Sequence, residues 1–241
     1  MKPILRTLAI PALPAFALAF AVATPAHAQI TGVSNLANPG SGVQFVSYQN
    51  LGFTFSGQSL AQSFTTGAGS ATLAGVSLAM ASANVVDGGG FTVSLYGDSG
   101  GVPGSLIGLL SGDSTPDPSP DAFGLFDYTP LVLTGLTEFT PYWVVAEVPQ
   151  TGADKRYVWS QTEDLTETGE PGWSMGIFAN RSSFDGNPGP WNPNNPTALR
   201  MEVQIAAVQE VPEASTWAAG VAMSLVAGAT WRRQRRNRPA A

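Results

Sequence analysis

Apolar residues along this chain come in short runs, and over no long window between residues 29 and 210 do they recur at the three-and-four spacing of an amphipathic helix. The runs VQFVSYQ from Val43, LAQSFTT from Leu60, TLAGVSLAMA from Thr72 and FTVSLYG from Phe91 are alternating or rich in β-branched and aromatic side chains. GSLIGLLSG from Gly104, FGLFDYTPLVLTGL from Phe123, PYWVVAEV from Pro141, RYVWSQT from Arg156, WSMGIFA from Trp173 and ALRMEVQIAAV from Ala198 continue the pattern. Between them stand turn signals, among them DGGG at 87–90, GDSGGVPG at 97–104 and FDGNPGPWNPNNP at 184–196. About ten short strands with no helix between them predict an all-β fold, an antiparallel β-sandwich of jelly-roll type.

Two runs predict their own faces. In PYWVVAEV, Tyr142, Val144 and Ala146 alternate with Trp143, Val145 and Glu147, so both sides of its first half are apolar, as in a strand near the sheet centre. Pro141 stands at its entrance, where a missing N–H is tolerated. In FTVSLYG, Phe91, Val93 and Leu95 alternate with Thr92, Ser94 and Tyr96, giving one buried and one mostly polar face. The prolines of STPDPSPDAFG, 114–124, exclude helix and central strand and predict a loop.

The two ends break this pattern. At the start, Lys2 and Arg6 precede an uncharged, mostly apolar run over 8–22, and Ala26-His27-Ala28 follows as an A-x-A site. Charged start, apolar middle and small-residue exit predict a secretory signal peptide, 1–28, read by the Sec export machinery and cut by signal peptidase after Ala28. At the other end, 214–231 is a stretch of 18 residues without a charge. As a helix it measures about 27 Å, close to the ~30 Å of a hydrocarbon core. Arg232, Arg233, Arg235, Arg236 and Arg238 follow, a cluster that stays cytoplasmic by the positive-inside tendency. The predicted transmembrane helix thus leaves the domain at 29–210 outside the inner membrane.

Charge and composition then narrow the chemistry. Between Gln29 and Glu210 four basic residues face sixteen acidic ones, a net of −12. Nucleic acid is not an expected partner, because phosphate binding needs clustered Lys and Arg. The only histidine, His27, falls in the predicted signal peptide, and the chain has no cysteine. Ser-His-Asp and Cys-His catalysis, His/Cys zinc sites and disulfides are therefore excluded from the mature domain. Paired carboxylates remain, and Glu163, Asp164, Glu167 and Glu170 cluster in QTEDLTETGEPG, but nearness in sequence does not set the separation that glycoside hydrolysis requires. No cofactor is expected beyond a structural calcium ion, for which Asp87, Asp98, Asp113 and Asp117 in or near Gly-rich turns supply hard oxygen donors. For carbohydrate the residues to examine are Trp191, in a Pro/Asn-rich loop, and Trp159 and Trp173 on strands, where burial in the core is the competing expectation.

Val211, Pro212, Glu213, Ala214, Ser215 and Thr216, then the apolar segment, then the arginines, resemble the PEP-CTERM sorting signal of Gram-negative bacteria, with Ala214 in place of the usual second proline. The resemblance implies recognition by an exosortase, an integral-membrane cysteine transpeptidase that processes the tail near the Pro-Glu pair, so that anchoring is transient. It also implies an association with exopolysaccharide and biofilm. The body, over about 55–206 through LAQSFTTGAGSATLAGVSLAMAS, FTVSLYGDSGGVPGSLIGLLSG, LTGLTEFTPYWVVAEV and YVWSQT, resembles the choice-of-anchor R domain, which transfers no catalytic residue. The resulting expectation is an exported, non-catalytic structural or adhesive protein of the cell surface or extracellular matrix. The alternatives are a carbohydrate-binding module and, further off, a glycan-active enzyme.

Overall fold

The computed structural model describes residues 28–50, 55–85, 90–115, 123–149, 154–194 and 197–206. The expectations for Ala26 and the rest of the signal peptide before Ala28, and for the sorting tail 211–238, lie outside them, as do Asp87 and Asp117. Among the described residues there is no helix, and so none long and apolar enough to cross a membrane.

The strands are β1 Gln29–Ser34, β2 Gly42–Asn50, β3 Phe55–Thr65, β4 Ala71–Val85, β5 Thr92–Asp98, β6 Pro103–Gly112, β7 Gly124–Pro130 and β8 Thr134–Leu136. They continue as β9 Pro141–Glu147, β10 Lys155–Thr162, β11 Thr168–Gly169, β12 Ser174–Phe184, β13 Asn187–Pro188, β14 Asn192–Asn194, β15 Ala198–Leu199 and β16 Met201–Ala206. All described pairings are antiparallel, and each of the ten runs read from the sequence contributes a strand.

The all-β antiparallel class holds, but the layering departs from two separate sheets. Pairing runs from β4 through β7, β6, β5, β9, β3, β2 and β10 and returns to β4, so one sheet closes on itself into a barrel. The two long strands make closure possible by carrying two partners in succession. β4 pairs with β16 from Thr72 to Leu78 and then with β10 from Met80 to Val85. β3 pairs with β2 through Phe55–Gln58 and with β9 through Leu60–Thr65, while β12 runs along its other edge. Closure leaves fewer unpaired edges than an open sandwich does.

Arg200 fills the point where β10 and β4 diverge. Its N–H donates to Ser160 O at 2.8 Å, and its carbonyl accepts from Ala79 N–H at 3.1 Å and from the Trp159 indole at 2.9 Å.

The interior is filled by alternate residues of these strands, including Leu60, Phe64, Leu78, Met80, Leu95, Tyr157, Trp159 and Phe178. Phe91 and Tyr157 meet at 4.8 Å with tilted rings. The faces predicted for β9 are the ones observed: Tyr142, Val144 and Ala146 enter this core, while Trp143 and Val145 enter a smaller cluster on the outside of the barrel wall.

Candidate functional site

That outer cluster is the most elaborated surface among the described residues. Ala61 on β3, Trp143 and Val145 on β9 and Ala179 on β12 are buried there although they face away from the main core. Tyr96, Ile177 and Trp191 pack over them, half-buried. What covers the wall is the excursion after β12. Asp185 and Gly186, both with positive φ (49° and 79°), turn the chain back as a two-residue hairpin between Phe184 and Asn187. Asn192–Asn194 then pairs along Phe178–Asn180, which brings Trp191 over the wall.

β12 itself is held by a bulge between Met175 and Phe178. The buried Gln62 amide donates to Gly176 O at 2.8 Å and accepts from Leu199 N–H at 2.7 Å, while Ser63 Oγ donates to Ile177 O at 2.8 Å. The extra residue therefore leaves no bare carbonyl in the bulge.

The polar groups at this site converge on Arg181. Its guanidinium lies 4.6 Å from the centre of the Trp191 ring and forms an ion pair with Glu147. The side chains of Arg181 and Glu147 keep 23% and 25% of their surface exposed, so the pair is shielded but wet. Burial raises the Tyr96 hydroxyl above the ordinary tyrosine range; Glu147 adds to the rise and Arg181 opposes it. Trp143 donates its indole N–H to Asp98 Oδ1 at 2.8 Å, which fixes the ring against the wall. Beside the ion pair a cleft of about 270 Å³ is lined by Ser59, Thr92, Glu147, Arg181, Ser183 and Pro188. Hydroxyls, a guanidinium and a carboxylate in one shallow cleft can hydrogen-bond a polyhydroxylated ligand.

The chain matches no family model and no curated protein.

Of the three tryptophans singled out from sequence, only Trp191 lies at this site. Trp159 is fully buried, with its indole N–H bonded to the Arg200 carbonyl, and Trp173 stacks on Phe64 at 6.2 Å with an interplanar angle of 5°. Neither presents a ring face to a sugar: Trp159 points inward from β10, and Trp173, which precedes β12 instead of lying on a strand as expected, packs into the same core. The residues that sequence reasoning passed over are Arg181, Glu147, Tyr96 and Trp143. Alternation in β9 and β5 set the facing of the last three, but their meeting with Arg181 depends on the pairing of β12, β3, β9 and β5 in a row.

The acidic stretch is exposed at Glu163, Asp164, Glu167 and Glu170. Two of its carboxylates serve the local backbone: Asp164 Oδ1 accepts from Thr166 N–H at 2.9 Å, and Glu167 accepts from Met175 N–H. The Thr166 backbone contact holds the Asp164 carboxyl below its usual range. Asp98 is occupied by Trp143 and Gly101, and Asp113 by Thr115. Among the described residues no three His, Cys, Asp or Glu side chains gather as a metal site would need.

Proposed function

We propose that this chain is an exported protein of the cell surface or extracellular matrix, sorted by an exosortase through its tail, whose β-barrel domain has a structural or adhesive role. The tail carries the reading: Val211-Pro212-Glu213, Ser215 and Thr216 precede 18 uncharged residues and then five arginines. The signal peptide brings the domain across the inner membrane, the apolar helix at 214–231 holds it there for a time, and exosortase releases or transfers it. Exopolysaccharide is the expected surrounding. The pairing of Gln29 with Ala206 supports this arrangement, because both membrane-directed segments leave the barrel side by side.

Mass spectrometry of the exported protein from its native host tests the proposal. The expected mature form begins at Gln29 and ends near Pro212–Glu213. A form retaining Trp217 through Arg238 overturns exosortase processing.

A second reading, a carbohydrate-binding domain, is favoured by the cleft beside Arg181, Glu147 and Trp191. An array of bacterial glycans probed with the detergent-solubilised chain is expected to show ligands whose binding falls at least tenfold in Arg181→Ala, the order of loss for one charged hydrogen bond. Equal binding by parent and variant, or no glycan bound by the parent, counts against it.

A further inference from the structure

The two ends of the barrel domain lie in one register row. Gln29 pairs with Ala206, Ala206 with Thr72 and Thr72 with Gly135, so the start of β1, the end of β16 and the short strand β8 sit side by side around β4. At ~4.8 Å per strand the row is about 14 Å wide.

Next to this row the chain extrudes three apolar residues. β7 and β8 follow one another along the same edge of β4, with Tyr128 opposite Val76 and Thr134 opposite Leu73. Six steps of one strand thus match three steps of the other, and the surplus is Leu131, Val132 and Leu133. They are 63%, 76% and 87% exposed. Ile107 and Leu109 on β6, 45% and 49% exposed, join them around a groove of about 330 Å³, and Leu131 N–H donates to Leu109 O at 3.1 Å. Five large apolar side chains concentrated beside one groove mark a contact surface rather than scattered surface leucines.

The sequence outside the barrel says what that surface meets. From Ala206 only seven residues, 207–213, separate the row from the uncharged segment 214–231. Fully extended they reach at most ~25 Å. A barrel held by so short a tether keeps the face around Ala206 toward the bilayer, and the Leu131–Leu133 extrusion is on that face.

We propose that Leu131, Val132 and Leu133, with Ile107 and Leu109, are a membrane-contact surface that enters the headgroup–acyl boundary while the protein is tethered. It seats the barrel with its two ends down, and so presents Val211, Pro212 and Glu213, ahead of the span, at a fixed height at the membrane surface. This rests on the tethering proposed above. The groove carries no Lys or Arg, and the domain is acidic, so the contact is apolar and suits zwitterionic lipid.

The absence of cysteine from the chain allows single labels. The full chain, reconstituted in phosphatidylcholine vesicles, would carry an environment-sensitive fluorophore at Val132→Cys or, as control, at Phe184→Cys. Phe184 pairs with Ser56, nine residues of β3 or about 30 Å from Thr65, which lies beside the segment following β8. Brominated acyl chains are expected to quench the label at 132 at least threefold more than the label at 184. A reporter at Leu109→Cys should lose most of that quenching in a Val132→Asp, Leu133→Asp background, a change at sites exposed enough to leave the fold intact.

Equal quenching at 132 and 184 in vesicle-bound protein overturns the contact and leaves the tether standing. A chain that fails to float with vesicles overturns both. Self-quenching at 132 that is relieved by diluting with unlabelled chain assigns the groove to a second copy and overturns the lipid contact.

Discussion

At the scale of single residues, Tyr128 ties the stability of the barrel to pH through one buried hydroxyl. It is 2% exposed and donates that hydroxyl to the Asp113 carbonyl at 2.7 Å. Burial, then the charges of Asp113 and Asp127, raise its pKa far above the ordinary value of 10.0. A tyrosine in the unfolded chain begins to ionise near pH 10, so above that pH the unfolded state sheds a proton that the folded state keeps. The contribution of Tyr128 to stability is therefore complete below pH ~10 and declines as pH rises beyond it. Urea unfolding followed from pH 7 to 11 should show this as a falling midpoint above pH 10. Tyr128→Phe is expected to lose about 1 kcal/mol at neutral pH and to fall less steeply in alkali. An alkaline slope identical in parent and variant would place the proton elsewhere.

At the scale of elements, alternation made much of the barrel legible and register made the rest illegible. β9 could be read face by face because each residue from Tyr142 to Ala146 meets a core on its own side. β5 was half legible: Phe91, Val93 and Leu95 are buried as expected, but the expected polar face is open only at Thr92, with Ser94 5% exposed and Tyr96 half-buried. Packed over the same outer cluster as Tyr96 is Trp191 of the 184–194 segment, whose Asp-Gly turn was visible while its destination was not, since a turn sets direction and not the neighbour it reaches. β1 escaped notice because QITGVS has few large apolar side chains; its Val33 is buried through pairing with β16. The fates of Trp159, Trp173 and Trp191 show the same limit. All three have polar neighbours, and what separates two core rings from a surface one is the inward facing of Trp159 on β10 and the tertiary placement of Trp173 and Trp191, each just ahead of a strand. Likewise PLVLTG read as the continuation of a strand, and the surplus against β4 that extrudes Leu131–Leu133 appears only once the pairing is known.

At the scale of the whole molecule, closure should not depend on where the chain begins. The circuit is completed by β4 with β10 and by β2 with β10, contacts between segments far apart in sequence. Gln29 and Ala206 are direct partners in an antiparallel pair, roughly 5 Å apart at Cα, so a two-residue Asn-Gly link can join them. New ends can be opened between Gly100 and Gly101, at the tip of the β5–β6 hairpin, where both residues have positive φ and no atoms lie within 4 Å of the Cβ position. This permutant keeps every strand pairing and should lose less than about 2 kcal/mol, a fall in Tm of roughly 4–8 °C for a domain of this size. Opening instead between Ala79 and Met80 cuts β4 where its pairing passes from β16 to β10, and that permutant is expected not to fold. Circular dichroism melting curves of the two decide the matter. If the hairpin-opened form melts as poorly as the β4-opened one, the native connection order, and not the closed pairing, is what holds the barrel together.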